Sequence, residues 1–382
     1  MTRLSALPLS QLQKRRSAKW REFPSDVLPL PVAEMDFEIA KPIRDVLEEM
    51  IKGSDTGYLG PIPELGINLA RFSKARWGWE VDPEQVFTAT DVGVGMVEMA
   101  RTVINPGDSI MINSPVYHNM NNWIAELKCK SYDVPLTKTD LYYTLDLDAV
   151  ERGYKAGVKA HFLCNPHNPV GTVFNKEVLA ALAELAKKYG VTVFSDEIHA
   201  PLTYDATQFV PFLAVSETAR EVGICVTAAS KSWNLAGLKC ATIITAHPKQ
   251  LERAKSMPMA VHYRASLFGA VASAVAYECA DWLDSAIATM ESNRRFLANL
   301  LSKELPNVGY RIPDFSYLAW LDFKKLNLGE NPSEVLLEKG KLAVNAGVMF
   351  GAESASFVRL NFATSEEIIS EAVSRMVSCV EE

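Results

Sequence analysis

At 382 residues, with 48% apolar and 22% charged side chains, the chain has the composition of a folded globular protein. It is long enough for two domains, or for one large α/β domain with an appendage. A net charge of −7 argues against a broad contact with a phosphate backbone, and the one basic run, Lys14-Arg15-Arg16, has no aromatic interleaving, so no nucleic-acid partner is expected. No stretch of ~18 apolar residues and no leader-like N-terminus occurs, so neither a membrane span nor export is expected. The six cysteines lack paired CxxC spacing and read as reduced core residues, which predicts a cytoplasmic address.

In chain order, the first 30 or so residues hold several prolines and little periodicity, and are expected to wrap the surface or join a second domain. From about 85 to 245, short apolar runs alternate with helical patterns, the rhythm of βαβ units and a mostly parallel sheet. The predicted strands are Ser109 to Asn113, Ala160 to Cys164, Val191 to Phe194, Ile224 to Thr227 and Ala241 to Thr245. Glu177 to Tyr189 reads as an amphipathic crossover helix stopped by Gly190. A long helix is predicted over Asp281 to Leu305, then strands over Tyr317 to Phe323 and Ser356 to Phe362, with a helical segment starting near Pro332 between them. The fold class is therefore α/β: a large domain over 30–280, and a smaller α+β domain made of 1–29 and 281–382.

The chemistry-bearing segments follow predicted strands. Thr90-Asp91-Val92-Gly93-Val94-Gly95 opens a helix with Met96, Met99, Ala100, Val103 and Ile104 on one face, and such a turn presents free N–H groups to an anion. Its glycines do not match a dinucleotide fingerprint or a P-loop, so a single phosphate suits it better. Cys164-Asn165-Pro166-His167-Asn168-Pro169-Val170-Gly171 turns sharply after a strand, as an ordinary loop also would. Asp196 ends another strand, where a helix N-cap is the plain alternative. Lys231, in Ala229-Ser230-Lys231-Ser232-Trp233-Asn234, lies beyond a strand's C-terminal end, where sites in α/β sheets collect. Arg359 and Asn361 share one face of a strand, so Arg359 is placed either to grip a carboxylate bidentately or to form a structural ion pair.

Taken together and in this order, these segments resemble the fold-type I pyridoxal-phosphate enzymes, the large aminotransferase superfamily, over essentially the whole chain. Within it they look most like the MalY/PatB group of cystathionine β-lyases, or C–S lyases. The likeness rests on Leu30-Pro31-Val32-Ala33-Glu34-Met35-Asp36-Phe37, Gly57-Tyr58, Ser114-Pro115-Val116-Tyr117, Ser195-Asp196-Glu197-Ile198-His199 and Ser230-Lys231-Ser232-Trp233-Asn234. The resemblance implies that Lys231 carries pyridoxal 5′-phosphate as an imine and later moves the Cα proton, with Asp196 pairing with the pyridine nitrogen. It further implies that Asn168 bonds the ring's phenolic oxygen, that Tyr117 stacks on the ring, and that the amides of Asp91, Val92 and Gly93 hold the phosphate with the Ser230 hydroxyl. Arg359 would hold the substrate's α-carboxylate. Tyr58 would reach the phosphate of a neighbouring subunit, so the resemblance implies a homodimer with shared active sites.

Three positions depart from the superfamily's commonest pattern. Lys239 stands where many relatives place a phosphate-binding arginine, which keeps the charge but loses the bidentate fork. Asp91 brings a carboxylate near a dianion, so its backbone matters more than its side chain. His199 replaces a tyrosine common among the aminotransferases, which tilts the resemblance toward the lyases, although a packed histidine is an equal alternative. No histidine spacing suggests a metal. The implied reaction is α,β-elimination of a thiol from cystathionine or another S-substituted cysteine, within sulfur amino-acid metabolism. Transamination of an amino acid and a regulatory binding role are the alternatives.

Overall fold

The computed structural model describes residues 3–326 and 328–380. Runs of apolar and β-branched residues, buried at every position in Ala160–Cys164, Thr192–Asp196, Gly223–Thr227 and Ala241–Ile244, form the middle of a seven-stranded sheet. Its spatial order is Val86–Ala89, Ala241–Ile244, Gly223–Thr227, Thr192–Asp196, Ala160–Cys164, Ser109–Ile112 and Lys130–Asp133. The last five are mutually parallel, while Ala241–Ile244 runs antiparallel to both of its neighbours. Every strand predicted between 109 and 245 is present, Ala160–Cys164 with the predicted ends and the others with ends moved by one or two residues. Lys130–Asp133 escaped the sequence reading because, as an edge strand, it is mostly exposed and carries no apolar run.

Caps set the helix limits. Lys176–Tyr189 starts where the Asn175 side chain accepts the Val178 amide at 2.9 Å, and stops at Gly190, whose φ of +70° is left-handed. Val92–Ala100 starts at Asp91, whose carboxylate accepts the Val94 amide at 2.9 Å. It ends short of Val103, which lies in the turn that follows, and of Ile104, which lies beyond that turn. Gly95 lets this helix lie close to the sheet, since a Cβ there would stand 3.0 Å from Val226 Cγ1. Two helices without distinct sequence signals, Lys41–Lys52 and Pro63–Trp77, pack on Leu267–Ala276.

The helix Ala280–Glu304 leads to a four-stranded sheet ordered Gly309–Tyr310, Leu318–Asp322, Phe357–Asn361 and Asn345–Ala346. Pro332–Glu338 lies between these strands in sequence, as the proline position predicts. The N-terminal segment joins this part of the molecule: Leu28–Pro29 pairs in parallel with Leu342–Ala343, and the Leu4 amide donates to Thr289 Oγ1 at 2.7 Å.

Beyond Leu30 the chain runs between the two sheets without a partner strand, and it is fastened from below by a buried ion pair. Lys19 Nζ lies 2.8 Å from Asp36 Oδ2, and both side chains are fully buried. Arg15 adds hydrogen bonds to the carbonyls of Met35 and Phe37, at 2.9 and 3.1 Å. Removing one partner of such a pair strands a buried charge. Lys19→Met is therefore expected to destabilise the protein by about 3–5 kcal/mol, read as a lowered denaturation midpoint. The double change Lys19→Met with Asp36→Leu is expected to recover most of that loss, and no recovery would mean that packing rather than charge pairing is what Lys19 supplies.

Candidate active site

Because the strands run parallel, the loops after their C-terminal ends meet on one edge of the sheet. Asp91 to Gly93 follow Val86–Ala89, Tyr117 follows Ser109–Ile112, Asn168 follows Ala160–Cys164, Asp196 ends its own strand, and Lys231 follows Gly223–Thr227. Arg359 enters from the opposite side, on the inward face of Phe357–Asn361. These loops and that strand enclose a cavity of about 480 Å³. Every site residue nominated from the sequence lines it except Tyr58, which is 92% exposed on its own chain.

Lys231 Nζ donates to the Ala33 carbonyl at 3.0 Å. Burial, reinforced by the Arg359 charge, pulls its pKa down to about 8, so far more of the amine is neutral near physiological pH than in an exposed lysine. Asp196 shifts the other way. Burial pushes it up to about 6, opposed by the Ile198 amide, which donates to Oδ1 at 3.1 Å, and by the Lys231 charge. It is thus ionised at neutral pH at the floor of an apolar recess.

Arg359 is held on several sides. Its NH1 donates to Asn168 Oδ1 at 3.0 Å, and its NH2 donates to the Pro31 carbonyl at 3.1 Å and to Asn345 Oδ1 at 2.6 Å. The guanidinium carbon sits 4.9 Å from the Phe350 ring centroid. Burial lowers its pKa to about 10, so the charge persists, and among the described residues no carboxylate is paired with it. Its Nε is buried without a hydrogen-bond partner among the described residues. With Asn168 Oδ1 committed to Arg359, the Asn168 amide N–H groups are the part left for a ligand. The Asn165-Pro166 and Asn168-Pro169 bonds of this loop are both cis.

At the other end of the cavity, the first-turn amides of Val92 and Gly93 have no acceptor within their helix. Lys239, in the left-handed region at φ +57°, sets its Nζ 3.3 Å from Asp91 Oδ2, so the carboxylate that seemed ill placed near an anion is capped and neutralised. Ser230 lines the wall between them. A Cβ on Gly93 would strike the Trp123 indole at 2.8 Å, so only glycine lets the helix start approach that ring. The Tyr117 ring lies 5.8 Å from Trp123, with its hydroxyl accepting from Asn119 Nδ2 at 2.7 Å, and burial raises its pKa. His199 is buried, with Nδ1 3.0 Å from Ser316 Oγ, and burial holds it neutral.

Sequence reasoning missed Asn345, Tyr317 and the Ala33 carbonyl. The Tyr317 hydroxyl donates to the same Ala33 oxygen that takes Lys231, at 3.2 Å. Asn345 is paired directly with Arg359 across two strands, but its own strand, Asn345–Ala346, is too short to leave a periodic signal.

The residues fit a flat, phosphorylated, cationic ring: amides and a lysine for the phosphate at one end, a buried carboxylate beneath, and an amine poised between. A model of the class I and II aminotransferases matches residues 25–376. The chain belongs to that family. It is 36% identical to a cystathionine β-lyase of Corynebacterium glutamicum, over 97% of this chain and 98% of the relative. A provisionally assigned pyridoxal-phosphate-dependent β-cystathionase of Corynebacterium diphtheriae superposes with a TM-score of 0.95 at 33% identity, covering 99% of both chains. Cystalysin of Treponema denticola, solved with pyridoxal 5′-phosphate, gives a TM-score of 0.92 at 26% identity, covering 100% of this chain and 99% of its own.

Only a neutral amine attacks an aldehyde. Reductive trapping of Lys231 by pyridoxal and borohydride, mapped by mass spectrometry, is therefore expected to rise with pH through about 8 and then level off. A rise centred near the ordinary lysine value would mean that the amine is not desolvated.

Proposed function

We propose that the protein is a pyridoxal-phosphate-dependent carbon–sulfur β-lyase, cleaving cystathionine and related S-substituted cysteines to a thiol, pyruvate and ammonia by α,β-elimination. The observation that carries this reading is the convergence of Lys231, Asp196, Asn168 and Arg359 on one cavity, in a chain matched end to end by a cystathionine β-lyase.

When bound, pyridoxal phosphate supplies the electron sink that makes the Cα proton of an amino acid removable. Lys231 would carry it and would move that proton, a task suited to an amine with a pKa of about 8. Asp196 would hold the ring nitrogen with a charge kept in place by the Ile198 amide. Asn168 would donate to the phenolic oxygen, and Tyr117 would cover the ring face. The amides of Asp91, Val92 and Gly93, the Ser230 hydroxyl and Lys239 would hold the phosphate, and His199, which burial keeps neutral, would add no charge beside the cofactor. Arg359, already oriented by Asn168, Asn345 and Pro31, would take the substrate carboxylate through its remaining NH1 hydrogen, and a two-point grip would require it to release one of the two bonds now made by NH2.

We assign the cofactor to residues 30–280, with residues 1–29 and 281–382 closing the carboxylate side. Tyr58, exposed on its own chain, would serve the phosphate of a second copy, which makes a homodimer the working unit. Among the described residues no helix is long and apolar enough to cross a membrane. All six cysteines lie outside any disulfide, in keeping with a reducing cytoplasm.

Incubation with cystathionine and no keto-acid acceptor is expected to yield pyruvate and homocysteine. Acceptor-dependent transamination without thiol release would replace this reading with an aminotransferase. Lys231→Ala is expected to abolish both turnover and the visible absorbance of the bound cofactor. Arg359→Ala is expected to raise KM at least tenfold, by removing a desolvated charged partner, while the cofactor stays bound. Loss of cofactor with an unchanged KM would contradict that role.

A further inference from the structure

A carboxylate has two oxygens, and in a poorly solvated cavity each needs a donor. The terminal nitrogens of Arg359 have one hydrogen to spare, on NH1, because NH1 also serves Asn168 and NH2 serves both Pro31 and Asn345. Its Nε is sealed inside the protein. A single hydrogen serves one oxygen of the substrate carboxylate and leaves the other without a charged partner.

Asn345 is placed to mend this. It stands directly opposite Arg359 in the antiparallel pairing of Asn345–Ala346 with Phe357–Asn361, so the two side chains leave the same face of the small sheet. It is half-buried and lines the cavity. A guanidinium only donates, so the carboxamide atom 2.6 Å from NH2 is the oxygen, and the Asn345 amide nitrogen is left over. That nitrogen makes no hydrogen bond among the described residues, and unlike Arg359 Nε it is not sealed from solvent.

The bond between Asn345 and NH2 is also the one that can give way. The Pro31 carbonyl is backbone, and the carbonyls on either side of it are tied to the Asn361 amide and the Asn361 side chain. Asn345 Oδ1 hangs on a side chain with two rotatable bonds, and it can leave NH2 without moving the backbone.

We propose that Asn345 is a substrate-binding residue: the incoming carboxylate takes its place on Arg359 NH2, and its amide nitrogen then donates to that carboxylate. In the empty site the Asn345 oxygen stands in for a substrate oxygen and keeps the guanidinium oriented. With a ligand bound, Arg359 grips through NH1 and NH2, and the asparagine, turned about its last torsion, adds a third hydrogen bond to the same anion. The role rests on the reading of Arg359 given above, and not on which bond of the substrate breaks.

L-Alanine, which has no leaving group at Cβ, and ethylamine, which is alanine without its carboxylate, separate this role from a structural one. Both are titrated into the holoenzyme and followed by the absorbance of the bound cofactor. Asn345→Ala is expected to weaken L-alanine binding about tenfold, as the loss of a hydrogen bond to a charged group does, and to change ethylamine binding less than about twofold. Asn345→Ser, whose hydroxyl both accepts and donates, is expected to recover most of that loss. In an Arg359→Ala background, Asn345→Ala is expected to cost at least about threefold more, because a direct contact persists when the arginine is gone. No further loss there would mean that Asn345 acts only by holding Arg359. Unchanged or tighter L-alanine binding in Asn345→Ala would mean that the side chain only competes with the ligand, and equal losses on both ligands would mark it as structural. Each of these three results overturns the proposal. If Arg359→Ala alone leaves L-alanine affinity intact, the reading of Arg359 itself falls, a result distinct from all of these.

Discussion

The site depends on an eight-residue stretch of backbone that belongs to no sheet. From Leu30 to Phe37 each carbonyl accepts a hydrogen bond, mostly from side chains. The Asn361 amide takes Leu30, Arg359 takes Pro31, Asn361 Nδ2 takes Val32 and Glu34, and Lys231 with Tyr317 takes Ala33. Asn234 and Arg15 take Met35, the Leu7 amide takes Asp36, and Arg15 takes Phe37. Buried backbone groups must be paired, and a segment without a neighbouring strand can satisfy this only by recruiting side chains. Here the recruits include Lys231 and Arg359. The need to satisfy an irregular strip therefore orients the amine and the guanidinium before any ligand arrives.

That arrangement has an electrostatic consequence. Two buried cations, Lys231 and Arg359, face one buried carboxylate, Asp196, so the cavity carries a surplus of positive charge in a poorly solvated space. Burial drives Lys231 down to about 8 and Arg359 down to about 10, and the Arg359 charge adds to the shift on Lys231. An anionic substrate relieves the strain on the guanidinium and removes its push on the amine, so the part of the Lys231 shift that persists with substrate bound is the larger one, that of burial. Binding and chemical activation thus come from the same desolvation.

Much of this was legible in the sequence where a residue's environment repeats a strong local pattern. The strands Ala160–Cys164 and Gly223–Thr227 announced themselves because central parallel strands are apolar throughout, and the site residues followed from being just beyond them. Asp91 could be read as troublesome but not as resolved, since its neutralisation by Lys239 joins positions 148 residues apart. Asn345 and Ala33 were invisible for a related reason. One sits in a two-residue strand and the other contributes a carbonyl, which any residue type would provide.

The same division separates what the family shares from what an individual enzyme selects. In the proposed reaction the groups that would act on the amino and carboxylate portions common to every amino acid, Lys231 just beyond a strand end and Arg359 within Phe357–Asn361, are both tied to sheets. Another wall of the cavity is built from Tyr117, His118, Asn119 and Trp123 at a helix start, with Phe350 packed behind His118. Two parts of the fold meet there through ring contacts rather than through a hydrogen-bond ladder, so a change of one ring alters the wall without disturbing the strand ends. Gly93 shows how close the two systems come. It belongs to the helix start proposed to hold the phosphate, yet its missing Cβ is what makes room for the Trp123 indole on the other wall.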